Sequence, residues 1–125
     1  MNLSAIHHVA IIVSNYEASK HFYVDQLGFQ VVRENVRTND VKLDLKLGDS
    51  ELEIFGPNNL PPKRVTQPEA CGLRHLAFKV EHIEDVVAEL ESMGIPCEPI
   101  RLDAFTGKKM TFFRDPDDLP LELHE

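Results

Sequence analysis

The sequence is poor in cysteine, in positive charge and in long apolar runs. Its two cysteines, Cys71 and Cys97, form no CxxC pair, so we expect two small buried thiols rather than a disulfide framework or a thiolate zinc site. The 13 Lys and Arg residues are outnumbered by 21 Asp and Glu residues, and the net charge of −8 repels phosphate backbones and anionic lipids. No apolar run is long enough to span a membrane, and the N-terminal segment lacks a basic stretch followed by an apolar one. We therefore expect a soluble cytoplasmic protein that binds neither nucleic acid nor a membrane.

The first half of the sequence predicts a strand, a helix and three further strands. The apolar segment from Ile6 to Val13 predicts the first strand. Ser14 and Glu17 form a capping-box pattern, and the helix that follows extends to Gln26 before Gly28 stops it. The next strands are FQVVRE, VKLDLKL and ELEIF. In VKLDLKL, charged residues alternate with apolar ones, which is typical of a strand with one face in water.

The second half repeats this order. LRHLAFKV predicts a strand, the segment closed by Gly94 has apolar residues at helical spacing, and CEPIRL, KKMTFFR and LPLELHE predict three more strands. Three segments of the first half, IHHVAIIV, LGF and LEI, align with LRHLAFKV, MGI and LEL at offsets of 67, 66 and 69 residues. A repeated unit of this kind buries its sheet against a second copy.

We therefore predict an α+β fold in which two βαβββ modules in tandem form a cupped, curved mixed sheet. The first module covers residues 1–56 and the second covers residues 73–125. A connector with four prolines, residues 57–72, joins them as a linker or binding loop. The whole chain, residues 1–125, is then one domain.

Alternation along the strands selects four ionisable residues. Val9, Ile11 and Val13 share the face that packs under the helix, so His8 points to the concave face, and we interpret His7 as a strand-end residue. The same argument places four side chains on the concave face: His8 and Glu53 from the first module, His75 and Glu122 from the second. Carboxylates there are costly unless compensated, and two imidazoles with two carboxylates suit a divalent ion such as nickel, cobalt, iron, manganese or zinc.

The chain resembles the vicinal oxygen chelate superfamily, whose members include glyoxalase I, fosfomycin-resistance proteins, methylmalonyl-CoA epimerase and extradiol dioxygenases. The resemblance runs from HHVAIIV and SKHFYVDQLGF through RHLAFKV to DPDDLPLEL. It is closer still to short glyoxalase-like proteins that carry RHLAF and FTGKKMTFF. The ligand order His, Glu, His, Glu is similar to that of bacterial glyoxalase I, which implies nickel or cobalt as the favoured metal.

The resemblance also implies an activity. It implies a lactoylglutathione lyase type of enzyme that isomerises a small chelating substrate, such as the hemithioacetal of methylglyoxal and a thiol, through an enediolate on the metal. Glu122 is the expected base, and Glu53 handles the other proton. Arg33, Arg74 and Lys108 are candidates for binding an anionic part of the substrate. In short two-module relatives the site is built across a dimer, so we expect a homodimer whose chains share their sites.

Two alternatives remain open at this point. The first is a non-catalytic binding or resistance protein of the same fold, of the bleomycin-resistance kind. The second is an enzyme of the superfamily with a different chelating substrate, such as an epimerase, a thiol transferase or a dioxygenase.

Overall fold

The computed structural model describes residues 1–125 and confirms the predicted fold of two βαβββ modules. The chain divides into two compact units, residues 1–63 and 64–125, each with its own four-stranded mixed sheet. None of the helices combines the length and the apolar character that crossing a membrane requires.

The first unit contains four strands and one helical segment. Its elements are β1 (His8–Ile12), α1 (Tyr16–Lys20), which continues as a π-helix (His21–Gln26), β2 (Gln30–Val36), β3 (Asp40–Leu47) and β4 (Ser50–Pro57). The strand order is β1-β4-β3-β2, with β1 parallel to β4 and the other neighbours antiparallel. The first and last strands of the unit are therefore neighbours.

The helical segment starts one residue later than predicted. The N-cap is Asn15, whose side-chain oxygen accepts a hydrogen bond from the backbone N–H of Ala18 at 3.0 Å, so the predicted cap at Ser14 is wrong. Asn and Ser are comparable caps, and only the backbone conformation chooses between neighbours. Gly28 ends the segment with φ +79°, the left-handed conformation expected of it.

Burial in the first unit follows the predicted alternation on β1. Ile11 and Val13 are 8% and 1% exposed, whereas Ile12 between them is 60% exposed. On β3 the prediction of a wet face is wrong at its centre, because Asp44 is as buried as its leucine neighbours. The side chains of Arg33 and Lys42 cover Asp44. A period-two pattern shows which face a residue lies on but not whether neighbouring side chains cover it.

The second unit repeats this architecture with shorter elements. They are β5 (Leu76–Lys79), α2 (Ile83–Ser92), β6 (Arg101–Leu102), β7 (Lys109–Arg114) and β8 (Pro120–His124). The order is β5-β8-β7-β6, and β5 is parallel to β8. The strand predicted from CEPIRL is reduced to its last two residues. Pro96 and Pro99 lack the N–H groups that strand pairing needs, which accounts for the shortening.

The cysteines differ from the expectation in one respect. Both thiols are free, but Cys71 is exposed, and only Cys97 is partly buried. Burial raises the pKa of the Cys97 thiol. The prediction of two buried thiols is therefore wrong for Cys71.

Candidate metal centre

Each unit brings one predicted histidine to one predicted glutamate. In the first unit, His8 Nε2 lies 3.6 Å from Glu53 Oε2. In the second, His75 Nε2 lies 2.9 Å from Glu122 Oε2. The second pair is the more enclosed: the side chains of His75 and Glu122 are 26% and 9% exposed, against 41% and 17% for His8 and Glu53.

The same strand register produces both pairs. In the first sheet Ala10 on β1 is the partner of Glu53 on β4, and in the second Ala77 on β5 is the partner of Glu122 on β8. Each histidine precedes its alanine by two residues and therefore shares its face. Because alanine has only a methyl group, the imidazole and the carboxylate meet diagonally across it.

A lysine also contacts Glu53. Lys42 Nζ donates a hydrogen bond to Glu53 Oε1 at 3.0 Å and lies 3.2 Å from Asp44 Oδ1. Asp44 Oδ2 accepts a hydrogen bond from Arg33 Nε at 2.5 Å. A continuous ionic network thus runs from Arg33 through Asp44 and Lys42 to Glu53.

The network shifts the pKa values of its inner members. The hydrogen bond to Glu53 and the contact with Asp44 raise the pKa of Lys42. Burial acts to raise the pKa of Asp44, but its contacts with Arg33 and Lys42 outweigh burial and bring that pKa below its ordinary value. Both groups are therefore charged at neutral pH.

The second pair has apolar neighbours in place of this network. Phe112 on β7 is the register partner of Glu122, as Asp44 is of Glu53. The Phe112 ring contacts the His75 ring edge to face, with centroids 5.2 Å apart and planes at 88°. No lysine or arginine lies within ion-pair distance of Glu122. The two carboxylates therefore occupy different environments in a repeated backbone.

His7 has a contact that alternation along the strand did not predict. Its Nδ1 lies 2.9 Å from Nδ1 of His8, and a hydrogen bond between two imidazoles needs one proton between them. When His8 is the donor, its Nε2 keeps the lone pair and faces Glu53. Metal-binding histidines are commonly oriented in this way, because the ring nitrogen that does not bind the metal donates a hydrogen bond to a neighbouring acceptor. In the sequence, the only sign of this contact is that the two histidines are adjacent. Alternation places neighbouring strand residues on opposite faces and so predicts no contact between them.

The donor set and its spacing fit a divalent ion. Two ligands in neighbouring octahedral positions, each about 2.1 Å from an ion, lie about 3 Å apart. The His75–Glu122 distance of 2.9 Å matches this separation, and the His8–Glu53 distance of 3.6 Å is somewhat longer. His8, Glu53, His75 and Glu122 are the residues that would hold the ion. In the single chain no three or more His, Cys, Asp or Glu side chains are close enough together to hold an ion, so each pair supplies only two ligands. That the two pairs share one ion stays a prediction.

The predicted substrate-binding residues lie in different surroundings. The Arg33 side chain is 62% exposed and tied to Asp44, and Lys108 is exposed in the turn before β7. Arg74 Nε donates to Glu69 Oε1 at 2.7 Å and lines a pocket of about 190 Å³ that His75 also lines. Of the three residues, Arg74 alone lines this pocket.

The repeated βαβββ fold is that of one superfamily. The model of the Glyoxalase/Bleomycin resistance protein/Dioxygenase superfamily matches residues 5–123, and the chain belongs to this superfamily. The resemblance read from the sequence is thereby confirmed.

The chain is also similar to individual proteins. YwkD of Bacillus subtilis (strain 168), described as uncharacterized, is 56% identical over 128 residues, which cover 100% of this chain and 99% of YwkD. The crystal structure of a glyoxalase family protein from Enterococcus faecalis has 65% identity and a TM-score of 0.92, with 100% of both chains covered. The lactoylglutathione lyase from Agrobacterium tumefaciens has 23% identity and a TM-score of 0.76, with 100% of this chain and 96% of that chain covered. This last similarity shows the fold alone.

Proposed function

We propose that the protein is a divalent-metal-dependent isomerase of the lactoylglutathione lyase type. Its substrate has two neighbouring oxygens, as in the hemithioacetal of methylglyoxal and a thiol. The observation that carries the proposal is the repeated pair, an imidazole and a carboxylate at matching register in each module. Such a set of nitrogen and oxygen donors favours nickel or cobalt, with zinc, manganese and iron as further candidates.

The complete ligand set requires both modules. His8 and Glu53 come from one chain, and His75 and Glu122 come from its partner in a homodimer. When bound, the ion supplies Lewis acidity toward the two oxygens of the substrate.

Glu122 is the proposed base that removes the proton next to the carbonyl. Neither a lysine nor an arginine lies within ion-pair distance of it, whereas Lys42 occupies one oxygen of Glu53. Phe112 covers the register position opposite Glu122 and holds the His75 ring edge to face, which limits the access of water to this carboxylate. Glu122 returns this proton to the adjacent carbon, and Glu53, held by Lys42, transfers the hydroxyl proton between the two substrate oxygens.

The anionic part of the substrate is assigned to Arg33, Arg74 and Lys108. Arg74 has the strongest support, because it lines the same pocket as His75.

The experiment uses protein stripped of metal and then supplied with nickel, cobalt or zinc. The hemithioacetal of methylglyoxal and glutathione is the substrate, and lactoylglutathione formation is measured. We expect turnover that needs added metal and that falls about 10²- to 10⁴-fold in Glu122→Gln, the range for loss of a general base. Glu81→Gln, which changes an exposed carboxylate just after β5, is the matched control.

Two results would contradict the proposal. Turnover that survives metal removal would exclude the metal site as its origin. Bound metal with no turnover of any hemithioacetal would instead assign the site to ligand binding, as in a resistance protein.

A further inference from the structure

We propose that the second unit contains a binding site for a compact dianion, either a phosphate or a dicarboxylate group. The site is an arginine pocket, defined by Arg64, Arg74, Arg101 and Arg114, with a volume of about 190 Å³. All four arginines of residues 64–125 line this pocket, whereas the three lysines of the same segment do not.

The presence of arginines rather than lysines in the pocket indicates the chemistry of the ligand. Guanidinium groups present paired N–H donors in a plane, which match the oxygens of carboxylate and phosphate groups. The chain as a whole carries a net charge of −8, so a concentration of arginines in one concave place runs against its general charge. A cationic pocket in an acidic protein attracts anions locally.

Counting charges leaves two cations in excess. Glu69 pairs with Arg74 at 2.7 Å, and Glu98 pairs with Arg101 at 3.2 Å and with Arg114 at 3.9 Å. These two carboxylates are the only acidic side chains that line the pocket, against four guanidinium groups. The excess of two positive charges matches a dianion.

Arg64 makes no ion pair. Neutral oxygens position it instead: Nε donates to Thr66 Oγ1 at 2.9 Å, and Nη2 donates to the Leu73 carbonyl at 3.2 Å. The Thr66 hydroxyl in turn donates to the Asp118 carbonyl at 2.9 Å. This arrangement fixes a guanidinium at the pocket while leaving its charge uncompensated.

Arg114 has a donor without an acceptor. Its Nη1 atom is buried and has no hydrogen-bond partner. Buried donors are nearly always satisfied, and leaving one unpaired is costly. A negative charge in the pocket beside the Arg114 guanidinium would offset part of this cost.

The size and position of the pocket define its occupant further. Sites for drug-sized ligands measure about 300 to 1,000 Å³, so this smaller pocket suits a compact group or one end of a ligand. The Arg101 guanidinium lies over the Phe112 ring, 5.4 Å from its centroid, and the same ring contacts His75. If the protein is the proposed isomerase, the dianion is one end of its substrate, and this part of the inference rests on the proposed function. The binding of a dianion in the pocket is independent of that function.

The test is calorimetric titration of the metal-free full-length protein with inorganic phosphate and, separately, with malonate. Both titrations are made at fixed ionic strength, with chloride as the reference. We expect saturable binding that weakens about tenfold or more in Arg101→Met and in Arg64→Met, because each loses a charge-assisted hydrogen bond. Arg37→Met is the matched control, since Arg37 lies in the first unit and pairs with Asp40.

The outcomes separate the possible ligands and the two proposals. Tighter binding of phosphate identifies a phosphate ester, and tighter binding of malonate identifies a dicarboxylate. Equal affinity in wild type and both pocket variants, or no binding beyond the chloride reference, would overturn the dianion site and leave the isomerase proposal standing. Dianion binding without isomerase activity would support the dianion site and overturn the isomerase proposal.

Discussion

Lys42 donates a hydrogen bond to Glu53 at 3.0 Å, while the equivalent position beside Glu122, two residues before its register partner, is Met110. The two proposed half-sites are thus alike in their His–Glu pairs and different in the residues beside the glutamate. In the first, a cation already neutralises part of the carboxylate charge. The difference makes the contribution of Lys42 to metal binding measurable.

Replacing Lys42 with methionine should strengthen the binding of a divalent ion by about tenfold. An ammonium group within about 5 Å of a bound dication repels it by more than 1 kcal/mol even when solvent screens the interaction, so its removal favours the ion. The dissociation constant for nickel, measured by competition with a chelator, checks this. Lys46→Met, which changes a lysine on the same face of β3 that makes no ion pair, should leave that constant unchanged. Weaker binding in Lys42→Met would show that the lysine supports the site.

Mixing two inactive variants should restore metal binding. If two chains share each site, a dimer of one His8→Ala chain and one His75→Ala chain has one intact site and one doubly damaged site. Random exchange of subunits makes half of the dimers mixed, so the mixture should bind about a quarter of the wild-type amount of metal. If each site lay within one chain, mixing would restore none, and the shared site would be excluded.

Gly56 on β4 should not tolerate a methyl group. An added Cβ would lie 2.9 Å from the Cβ of Tyr16, which cannot move without moving α1. We expect Gly56→Ala to lower the free energy of unfolding by about 1 to 3 kcal/mol, the usual cost of overpacking. Chemical denaturation measures this, with Ser50→Ala at the exposed start of β4 as the control. Unchanged stability would mean that α1 and β4 pack less closely than the structure shows.

Much of the fold could be predicted from the sequence because its signals are local and occur twice. Gly28 and Gly94 both end helical segments with positive φ values, as expected. Alternating burial at Ile11, Ile12 and Val13 also follows directly from the sequence pattern. Each His–Glu pair depends only on alternation and on the pairing of the first and last strands of a module.

Other features depend on residues far apart in the sequence. Asp44 is buried with its charge paired to Arg33 on the neighbouring strand β2 and to Lys42 on its own strand β3. The alternating pattern of β3 does not indicate these contacts. The arginine pocket draws on the connector, on the residues just before β5, and on β6 and β7, and its members show no common spacing. Arg74 was selected from the sequence, whereas Arg64, Arg101 and Arg114 were missed, because only the fold places them together.

The ionic contact between β2 and α1 should make stability depend on pH. Glu34 Oε2 accepts a hydrogen bond from Lys20 Nζ at 2.7 Å and another from the Tyr16 hydroxyl. These bonds, that from Lys20 first, lower the pKa of Glu34. A lowered pKa in the folded state means that the stabilisation is fully present above the ordinary value of 4.5 and is lost as the pH falls through the folded-state value.

Glu34→Gln should therefore be less stable than wild type at pH 7 by at most about 1 kcal/mol, because both side chains of the ion pair are partly exposed. The difference should close as the pH falls and Glu34 becomes protonated. Denaturation curves from acidic to neutral pH check this, with Glu51→Gln, a β4 carboxylate without an ion pair, as the control. A constant difference across the whole pH range would contradict the assignment.

The central claim is that His8, Glu53, His75 and Glu122 bind a divalent metal. The most direct test is the metal content of the purified protein after equilibration with nickel and removal of free ions, measured by mass spectrometry for wild type, His8→Ala and His75→Ala. We predict about one ion per chain in wild type and almost none in either variant, with His82→Ala, an exposed histidine at the start of α2, retaining the wild-type content. Wild-type protein without metal, or variants that keep it, would contradict the account.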